Sequence, residues 1–278
     1  MDALKIPPGS RPGYVIHGKI MFHFGLPRKA GSVSCGMSRL FSAARRLLVT
    51  SLLAGCAGSH AAESPSPAVA TSPSRAAAPP VEAPPLPLGS NALAESVLVD
   101  VRSADCTIQV DVRYATANNF TGAPLPGYDA PRALLRREVA AALGRVQARL
   151  RTGDLGLRVF DGYRPVRATM AMVAWAERVG RVALLDSGYI ARRSRHNLGV
   201  AVDLTLVDLA TGTEVPMGTP FDAFTEAAHT ANAEGRIRRY RDILVRAMES
   251  EGFANYAQEW WHFTYPVEGA VPFDLPIR

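Results

Sequence analysis

The sequence predicts an α+β domain, with a small antiparallel sheet that carries packed helices. Three observations indicate this class. Short runs at 108–113, 157–160 and 200–206 have the apolar or alternating character of strands. Amphipathic helical patterns lie between them. The two kinds of element interleave irregularly, without the regular strand–helix repeat that is typical of a parallel sheet.

Each predicted element has a local signal in the sequence. Gly153 and Gly252 close two helices, and Pro165 suits the first position of another. The predicted elements are a strand at 108–113, a loop rich in glycine and proline at 114–131, an amphipathic helix at 132–152 with Leu134 and Leu135 on its apolar face, a strand at 157–160, a turn at 161–165, a helix from Pro165 to about Val179, a strand at 200–206, a helix at 236–251 and an aromatic-rich strand at 259–265.

Charge and cysteine content exclude several classes of function. The 278 residues carry a net charge of +6, but residues 1–82 hold nine of the 31 Lys+Arg and three of the 25 Asp+Glu. Residues 83–278 therefore hold 22 of each, and a basic nucleic-acid-binding face is not expected. The three cysteines are too few for a disulfide framework or a cysteine metal site.

The segment from Met37 to Cys56 is typical of a secretory signal. Arginines precede a short apolar run that ends in Leu53-Ala54-Gly55-Cys56. That ending resembles a bacterial lipobox, so we expect an exported protein, lipidated at Cys56 and anchored to a membrane facing the periplasm or the cell exterior. The alternative is a signal that is cleaved elsewhere, with Cys56 incidental. Residues 1–36 have no part in this design, and we interpret them as a spurious extension before the true start.

Residues 57–92 are mostly alanine, proline, serine and valine. Such a segment cannot bury enough apolar surface to offset the entropy of ordering it. We therefore predict a disordered tether over 57–92 and a folded catalytic domain over 93–278.

The segment around His196 and Asp203 holds the first half of a candidate metal site. On a strand, Val200, Val202 and their alternates would face the core, which leaves Asp203 on the opposite face. A buried aspartate is costly without a partner. Gly199 allows the chain to turn, so His196 at the mouth of the strand can converge with Asp203. The alternative is a solvated loop histidine and a strand-end aspartate.

The second half lies in the run Glu259-Trp260-Trp261-His262. Two histidines and one carboxylate leave an open position on a tetrahedral zinc ion, which is the catalytic pattern. Glu259 can then act as a base toward the attacking water without being a ligand. The alternative is an aromatic strand at an interface, in which Glu259 and His262 are merely interspersed polar residues.

Taken together, these motifs resemble the zinc D-alanyl-D-alanine dipeptidases, in the order that this family has them. The resemblance spans nearly all of residues 94–278 and implies the fold shared with Hedgehog N-terminal domains and zinc DD-carboxypeptidases. The matching segments are Arg113-Tyr114-Ala115-Thr116, Asn119-Phe120-Thr121-Gly122, Asp161-Gly162-Tyr163-Arg164-Pro165, Ser194-x-His196-x-x-Gly199-x-Ala201-x-Asp203, Met217-Gly218-Thr219-Pro220-Phe221-Asp222 and Glu259-Trp260-Trp261-His262.

The resemblance also implies roles for the residues of the metal site. His196, Asp203 and His262 would bind one Zn²⁺ per chain, and Glu259 would be the general base and acid. Arg164 matches the family arginine that steadies the oxyanion of the tetrahedral intermediate; its alternative is a helix-entry salt bridge with Asp161.

Three further positions are candidates for substrate binding. Asp222 matches a family residue near the substrate's ammonium group, or else is a helix N-cap before Ala223. Ser194 is expected either to line the pocket or to cap a turn. Tyr114 is expected either to line a small cavity or to be an aromatic residue of the core.

The expected function is hydrolysis of the D-Ala-D-Ala dipeptide in cell-wall peptide turnover, with a small D,D-dipeptide and a membrane as partners and no nucleic acid. One rival is a zinc DD- or LD-carboxypeptidase that acts on longer peptidoglycan stem peptides. The other is a Hedgehog-like zinc-binding module without catalysis, which would need neither Glu259 nor Arg164.

Overall fold

Two β-sheets and five α-helices form residues 87–278, the part of the chain that the computed structural model describes. No helix in this part is long and apolar enough to span a bilayer. The helices are α1 (Asn91–Val97), α2 (Arg137–Arg151), α3 (Val166–Arg178), α4 (Ala183–Asp186) and α5 (Gly235–Glu249). The strands are β1 (Leu98–Asp100), β2 (Gln109–Val110), β3 (Leu134–Arg136), β4 (Leu155–Asp161), β5 (Ala201–Asp208), β6 (Ala254–Asn255) and β7 (His262–Thr264).

The larger sheet has the strand order β2-β4-β5-β7-β6, and β1 and β3 form a two-stranded sheet beside it. All neighbours in the larger sheet are antiparallel except β2 and β4. A parallel pair needs a long crossover connection, and residues 111–154 provide one that contains α2. The predicted α+β class is confirmed, with one parallel pair at the edge of the antiparallel sheet.

The start of α2 differs from the prediction. Leu134 and Leu135 lie in β3, which pairs with β1, and α2 begins at Arg137. Both leucines are buried, so their apolar character suited either element. Periodicity alone cannot separate a short buried strand from the first turn of a buried helix.

Two predicted strands are shorter than expected. Only Gln109–Val110 of the first is a strand, and a 3₁₀ turn follows at Arg113–Ala115. Of the aromatic run 259–265, only His262–Thr264 forms a strand. Trp260 and Trp261 precede the strand and are buried, and the carbonyl of Trp261 still accepts from the amide of Leu204 on β5. The aromatic run therefore indicated burial more than it indicated a full strand.

Strand β5 is the centre of the molecule. Its residues from Ala201 to Val207 are all buried, on both faces of the sheet. Helix α2 packs against β4, and α5 packs against β5 and β6. Asp203 near the start of this strand is buried, at 3% exposed.

The folded domain includes several residues before 93. The amide of Gly89 donates to the carbonyl of Pro272, and Ser90 caps α1 by accepting from the amide of Leu93. These bonds tie the last residues of the predicted tether to the domain. The predictions for 1–36, for 37–56 with Cys56, and for 57–86 lie outside the described residues.

Candidate metal centre

Three polar side chains lie in one row across the larger sheet. Asp203 on β5 is the direct partner of Asp161 on β4 and of His262 on β7. The register of β4 shifts between Val159 and Asp161, as at a β-bulge, which re-aims a side chain next to a site. Strand pairing therefore brings together residues that are far apart in the sequence.

His196 joins this row from a 3₁₀ turn just before β5. Ser194 begins the turn: its hydroxyl accepts from the amide of His196, and its own amide donates to the side chain of Asn197. Gly199 ends the turn at a φ of 70°, in the left-handed region that favours glycine. Ser194 thus caps the turn, and it also borders the cavity described below. Both of its predicted roles are present.

The ring orientation of His196 is fixed by a backbone carbonyl. Its Nδ1 lies 2.7 Å from the carbonyl oxygen of Gly162. Because a carbonyl only accepts, Nδ1 carries a proton, and Nε2 is the ring nitrogen that faces Asp203 and His262. A second hydrogen bond of this kind is what orients metal-binding histidines.

The donor atoms of His196, Asp203 and His262 form a compact triangle. His196 Nε2 lies 3.2 Å from His262 Nδ1 and 3.3 Å from Asp203 Oδ2, and His262 Nδ1 lies 2.9 Å from Asp203 Oδ1. Ligands at 2.0–2.1 Å around a tetrahedral zinc ion would be separated by about 3.3 Å. The donor set therefore fits a zinc ion and leaves one coordination position open.

Asp203 is ionised in this setting. Its side chain is almost fully buried, and burial by itself would raise its pKa. The adjacent His196 and His262 outweigh that effect and hold the pKa of Asp203 well below its usual range. A permanently charged carboxylate is the form that a metal ion requires.

Glu259 borders the triangle without belonging to it. Its Oε2 lies 3.9 Å from His262 Nδ1, and its residue is 9% exposed. Burial, and then the charge of Asp203, raise the pKa of Glu259 to about 8. A carboxyl with a pKa near neutrality can both accept and release a proton during turnover.

Arg164 lies on the other side of Asp203. Its Nε and Nη2 donate to Oδ2 of Asp161 at 2.9 and 2.7 Å, and Tyr128 donates to the other oxygen of Asp161 at 2.6 Å. Its Nη2 is also 3.7 Å from Asp203. The salt bridge with Asp161 that we considered as an alternative is therefore present, yet it orients the guanidinium toward the metal site. Within the described residues, Nη1 donates only to the weakly accepting thioether of Met172, at 3.4 Å.

Tyr114 and Asp222 form a pair on a further wall of the site. The buried hydroxyl of Tyr114 lies 3.0 and 3.1 Å from the two carboxylate oxygens of Asp222. Burial, and then the charges of Asp203 and Glu259, raise the pKa of Asp222. The alternative of an N-cap is wrong, because no α-helix starts after Asp222 and the next 3₁₀ turn is preceded by Thr225.

These residues surround one cavity of about 360 Å³. All eight site residues predicted between Tyr114 and His262 border it. The lining residues are Tyr114, Arg164, Met172, Gly188, Tyr189, Ile190, Ala191, Arg193, Ser194, Arg195, His196, Asp203, Asp222, Asn255, Tyr256, Glu259, Trp261, His262 and Thr264.

Some participants were not found from the sequence. Tyr128, which orients Asp161, lies in a loop without a local motif. Tyr189 borders the cavity, and its hydroxyl lies 3.0 Å from Nε2 of His229. Phe120, which belongs to one of the segments that match the family, does not line the cavity and packs against Trp175. These contacts join distant segments, so no spacing in the sequence announces them.

Two imidazoles and a carboxylate, with an adjacent unliganded glutamate, define the class of metal-dependent hydrolases. Within that class the comparison with protein families is specific. The family model for D-Ala-D-Ala dipeptidases matches residues 94–276, and the chain belongs to this family of peptidases. The resemblance that the motifs indicated is confirmed.

Individual relatives agree with that assignment. The chain is 39% identical over 190 residues to a D-alanyl-D-alanine dipeptidase of Streptomyces coelicolor, which covers 61% of this chain and 93% of that protein. It is 36% identical over 193 residues to one of Enterococcus faecium, with 62% and 93% covered. Among solved structures, vancomycin-resistance D,D-dipeptidase VanXYg in complex with a D-Ala-D-Ala phosphinate analog is 20% identical, with a TM-score of 0.34 over 62% of this chain and 68% of that chain.

Proposed function

We propose that this protein is a zinc-dependent dipeptidase that hydrolyses D-Ala-D-Ala in cell-wall peptide turnover. The observation that carries the proposal is the triangle of His196, Asp203 and His262 with Glu259 directly beside it. Relatives that bear this activity in their names match over 93% of their own length. A binding module without catalysis would require neither the raised pKa of Glu259 nor the oriented Arg164.

His196, Asp203 and His262 would hold a single zinc ion. When bound, zinc supplies a Lewis acid that polarises the scissile carbonyl and acidifies water. The protonated Nδ1 of His196 and the buried charge of Asp203 keep both donors in their metal-binding forms.

Glu259 moves the proton in both halves of the reaction. As the carboxylate, it takes a proton from the attacking water while the water oxygen bonds to the scissile carbonyl carbon. It then gives that proton to the leaving nitrogen as the C–N bond breaks, so that D-alanine departs as a neutral amine. Glu259 ends ionised, as it began, and a pKa above that of a free carboxyl makes the carboxylate a stronger proton acceptor.

Arg164 is placed to stabilise the negative charge that develops on the carbonyl oxygen. Asp161 holds Nε and Nη2, while Nη1 donates to a thioether, a weak acceptor that a substrate oxygen can replace. A donor that is already oriented costs no reorganisation when the charge appears.

Asp222 and Tyr114 form the end of the cavity that suits an ammonium group. A dipeptide carries a free ammonium close to the scissile bond, whereas a longer stem peptide has an uncharged amide there. An ammonium ion would also favour the ionised form of Asp222, against the neighbouring carboxylates that raise its pKa. This favours a dipeptidase over a carboxypeptidase acting on longer peptides.

The test is a side-by-side assay of the full chain with zinc on D-Ala-D-Ala and on a pentapeptide stem. We expect release of D-alanine from the dipeptide and at least tenfold lower kcat/KM on the pentapeptide. Preferential cleavage of the pentapeptide would identify a carboxypeptidase, and no cleavage of either would refute the proposal. Metal analysis should find about one zinc per chain, and His262→Ala should lower that content.

We also propose that the protein is exported and lipid-anchored through Cys56. The arginines before the short apolar run and the Leu53-Ala54-Gly55-Cys56 ending support this. Cys56→Ser should move the protein from the membrane fraction to the soluble fraction of cells. A variant that partitions with membranes as the parent does would argue against the anchor.

A further inference from the structure

Arg241 on α5 is a buried cation that pairs with no carboxylate among residues 87–278. It is 1% exposed, and burial lowers its pKa. Its guanidinium instead donates to three backbone carbonyls: Nε to Met217 at 2.9 Å, Nη1 to His229 at 2.7 Å and Nη2 to Ala227 at 3.0 Å. Burying a charge in this way is expensive, so the contacts it makes are informative.

The three carbonyls lie at the two ends of the loop 217–229, which carries Asp222. At one end Gly218 has a φ of 95°, and a side chain there would come within 3.0 Å of Arg241 Nη2. Between the ends, Phe221 packs against Phe160 and Trp261. Arg241 thus closes the base of a loop whose tip is part of the cavity wall.

The same loop supports the segment that bears Glu259. The amide of Trp260 donates to the carbonyl of Ala228 at 3.1 Å, and its indole Nε1 donates to the hydroxyl of Thr219 at 2.8 Å. The loop therefore contacts the residue next to Glu259 as well as carrying Asp222. Glu259 itself is held by other contacts: its amide donates to the carbonyl of Tyr256 at 2.9 Å, and its carbonyl accepts from Asn255 Nδ2 at 3.1 Å. A shift of the loop would therefore move Asp222 relative to Glu259.

We propose that Arg241 is a positioning residue that holds Asp222 at the distance from the metal centre that a dipeptide requires. This inference rests on the proposed function. Arg241 makes no hydrogen bond to the turn of His196 or to strands β5 and β7, which supply the metal donors. Loss of its contacts should therefore weaken substrate binding and leave the metal in place.

Arg136 offers a matched control, because it is the same kind of residue on the other side of the site. It is also buried, burial lowers its pKa, and its Nε and Nη2 donate to the carbonyls of Leu198 and Val271 at 2.8 and 3.3 Å. Its amide donates to Gly199, so it supports the turn of His196 rather than the loop of Asp222.

The experiment compares Arg241→Met with Arg136→Met in the full chain loaded with zinc. Arg241→Met should raise KM for D-Ala-D-Ala about tenfold or more, with kcat within threefold of the parent and zinc affinity unchanged, because binding common to the ground and transition states is lost. Arg136→Met should lower zinc affinity, with the KM of the loaded enzyme unchanged. Arg241→Lys, which keeps the charge and some donors, should restore part of the affinity.

Thr219→Val is a milder change at the same loop and keeps the test valid if Arg241→Met does not fold. It removes the acceptor for Trp260 and should raise KM severalfold. The inference would be overturned if Arg241→Met and Arg136→Met had equal effects on KM and on zinc affinity. It would also be overturned if KM were unchanged in both Arg241→Lys and Thr219→Val. Failure of the parent to cleave the dipeptide would instead refute the proposed function, and calorimetric binding of D-Ala-D-Ala to parent and Arg241→Lys would then decide the role of the loop.

Discussion

The metal side and the substrate side of the cavity are built in different ways. The metal donors lie on paired strands and on a capped turn, where backbone hydrogen bonds set their positions. The substrate side depends on single side-chain contacts between distant segments: Tyr114 with Asp222, 108 residues apart, and Arg241 with the loop 217–229. A metal centre requires nearly fixed distances between its ligands in every state, whereas the residues that contact the substrate can adjust their positions to it.

This difference predicts that substitutions on the two sides separate metal content from substrate affinity. Variants of the metal side should lose zinc or the chemical step. Variants of the substrate side should change KM first.

The largest effect is expected for Asp203→Ala. An open zinc site has only three protein ligands, so the variant should lose zinc and all measurable activity together. Metal analysis after dialysis, with activity measured on the same sample, checks this. An Asp203→Ala protein that keeps its zinc would place the third ligand elsewhere.

Glu259→Gln should lower kcat on the order of 10³-fold, because it removes the proton acceptor and keeps the size of the side chain. Zinc content and thermal stability should change little, since Glu259 lies outside the donor triangle. The measurement is turnover and zinc stoichiometry beside Asp203→Ala. Loss of zinc in Glu259→Gln, with zinc retained in Asp203→Ala, would reverse the two roles.

Arg164→Lys should lower kcat about 10²-fold with a smaller change in KM, because lysine cannot keep two bonds to Asp161 while presenting a third donor to the substrate. Tyr128→Phe removes only the bond that orients Asp161 and should cost less. Steady-state kinetics of both variants test the order. A larger loss in Tyr128→Phe than in Arg164→Lys would contradict this role of the guanidinium.

The smallest effect on turnover, and a distinct effect on stability, is expected for Asp222→Asn. It should raise KM for the dipeptide about tenfold with a modest change in kcat. The pKa of Asp222 is raised in the folded protein, so above about pH 4 the unfolded chain releases this proton more readily than the folded chain does. The metal-free variant should therefore have a higher Tm than the metal-free parent at pH 7.5, and the gain should disappear near pH 4. An equal gain in Tm at pH 7.5 and near pH 4 would mean that the gain comes from packing and not from the ionisation of Asp222.

The sequence contained enough information to predict the metal side. The seven-residue spacing of His196 and Asp203, with Gly199 between them, is a local pattern, and strand alternation follows from backbone geometry. Glu259 and His262 were candidates from their chemistry, but placing them firmly in one site with His196 and Asp203 rested on the resemblance to a family, because nothing in the spacing alone states that β7 pairs with β5. Pairing of those strands made Asp203 and His262 direct neighbours.

The strand β3 and the support of the cavity walls depended on the folded chain. Leu134 and Leu135 suited a helix or a strand until β1 came alongside them. Arg241 and Tyr128 lie in no recognisable motif. The partners of Arg241 are backbone carbonyls, which any residue type provides, and the partner of Tyr128 is more than 30 positions away in the sequence. Periodicity and motifs record whether a residue is buried and what chemistry it carries. They do not record which distant segment will meet it, because that contact forms only when the whole chain closes around a shared core.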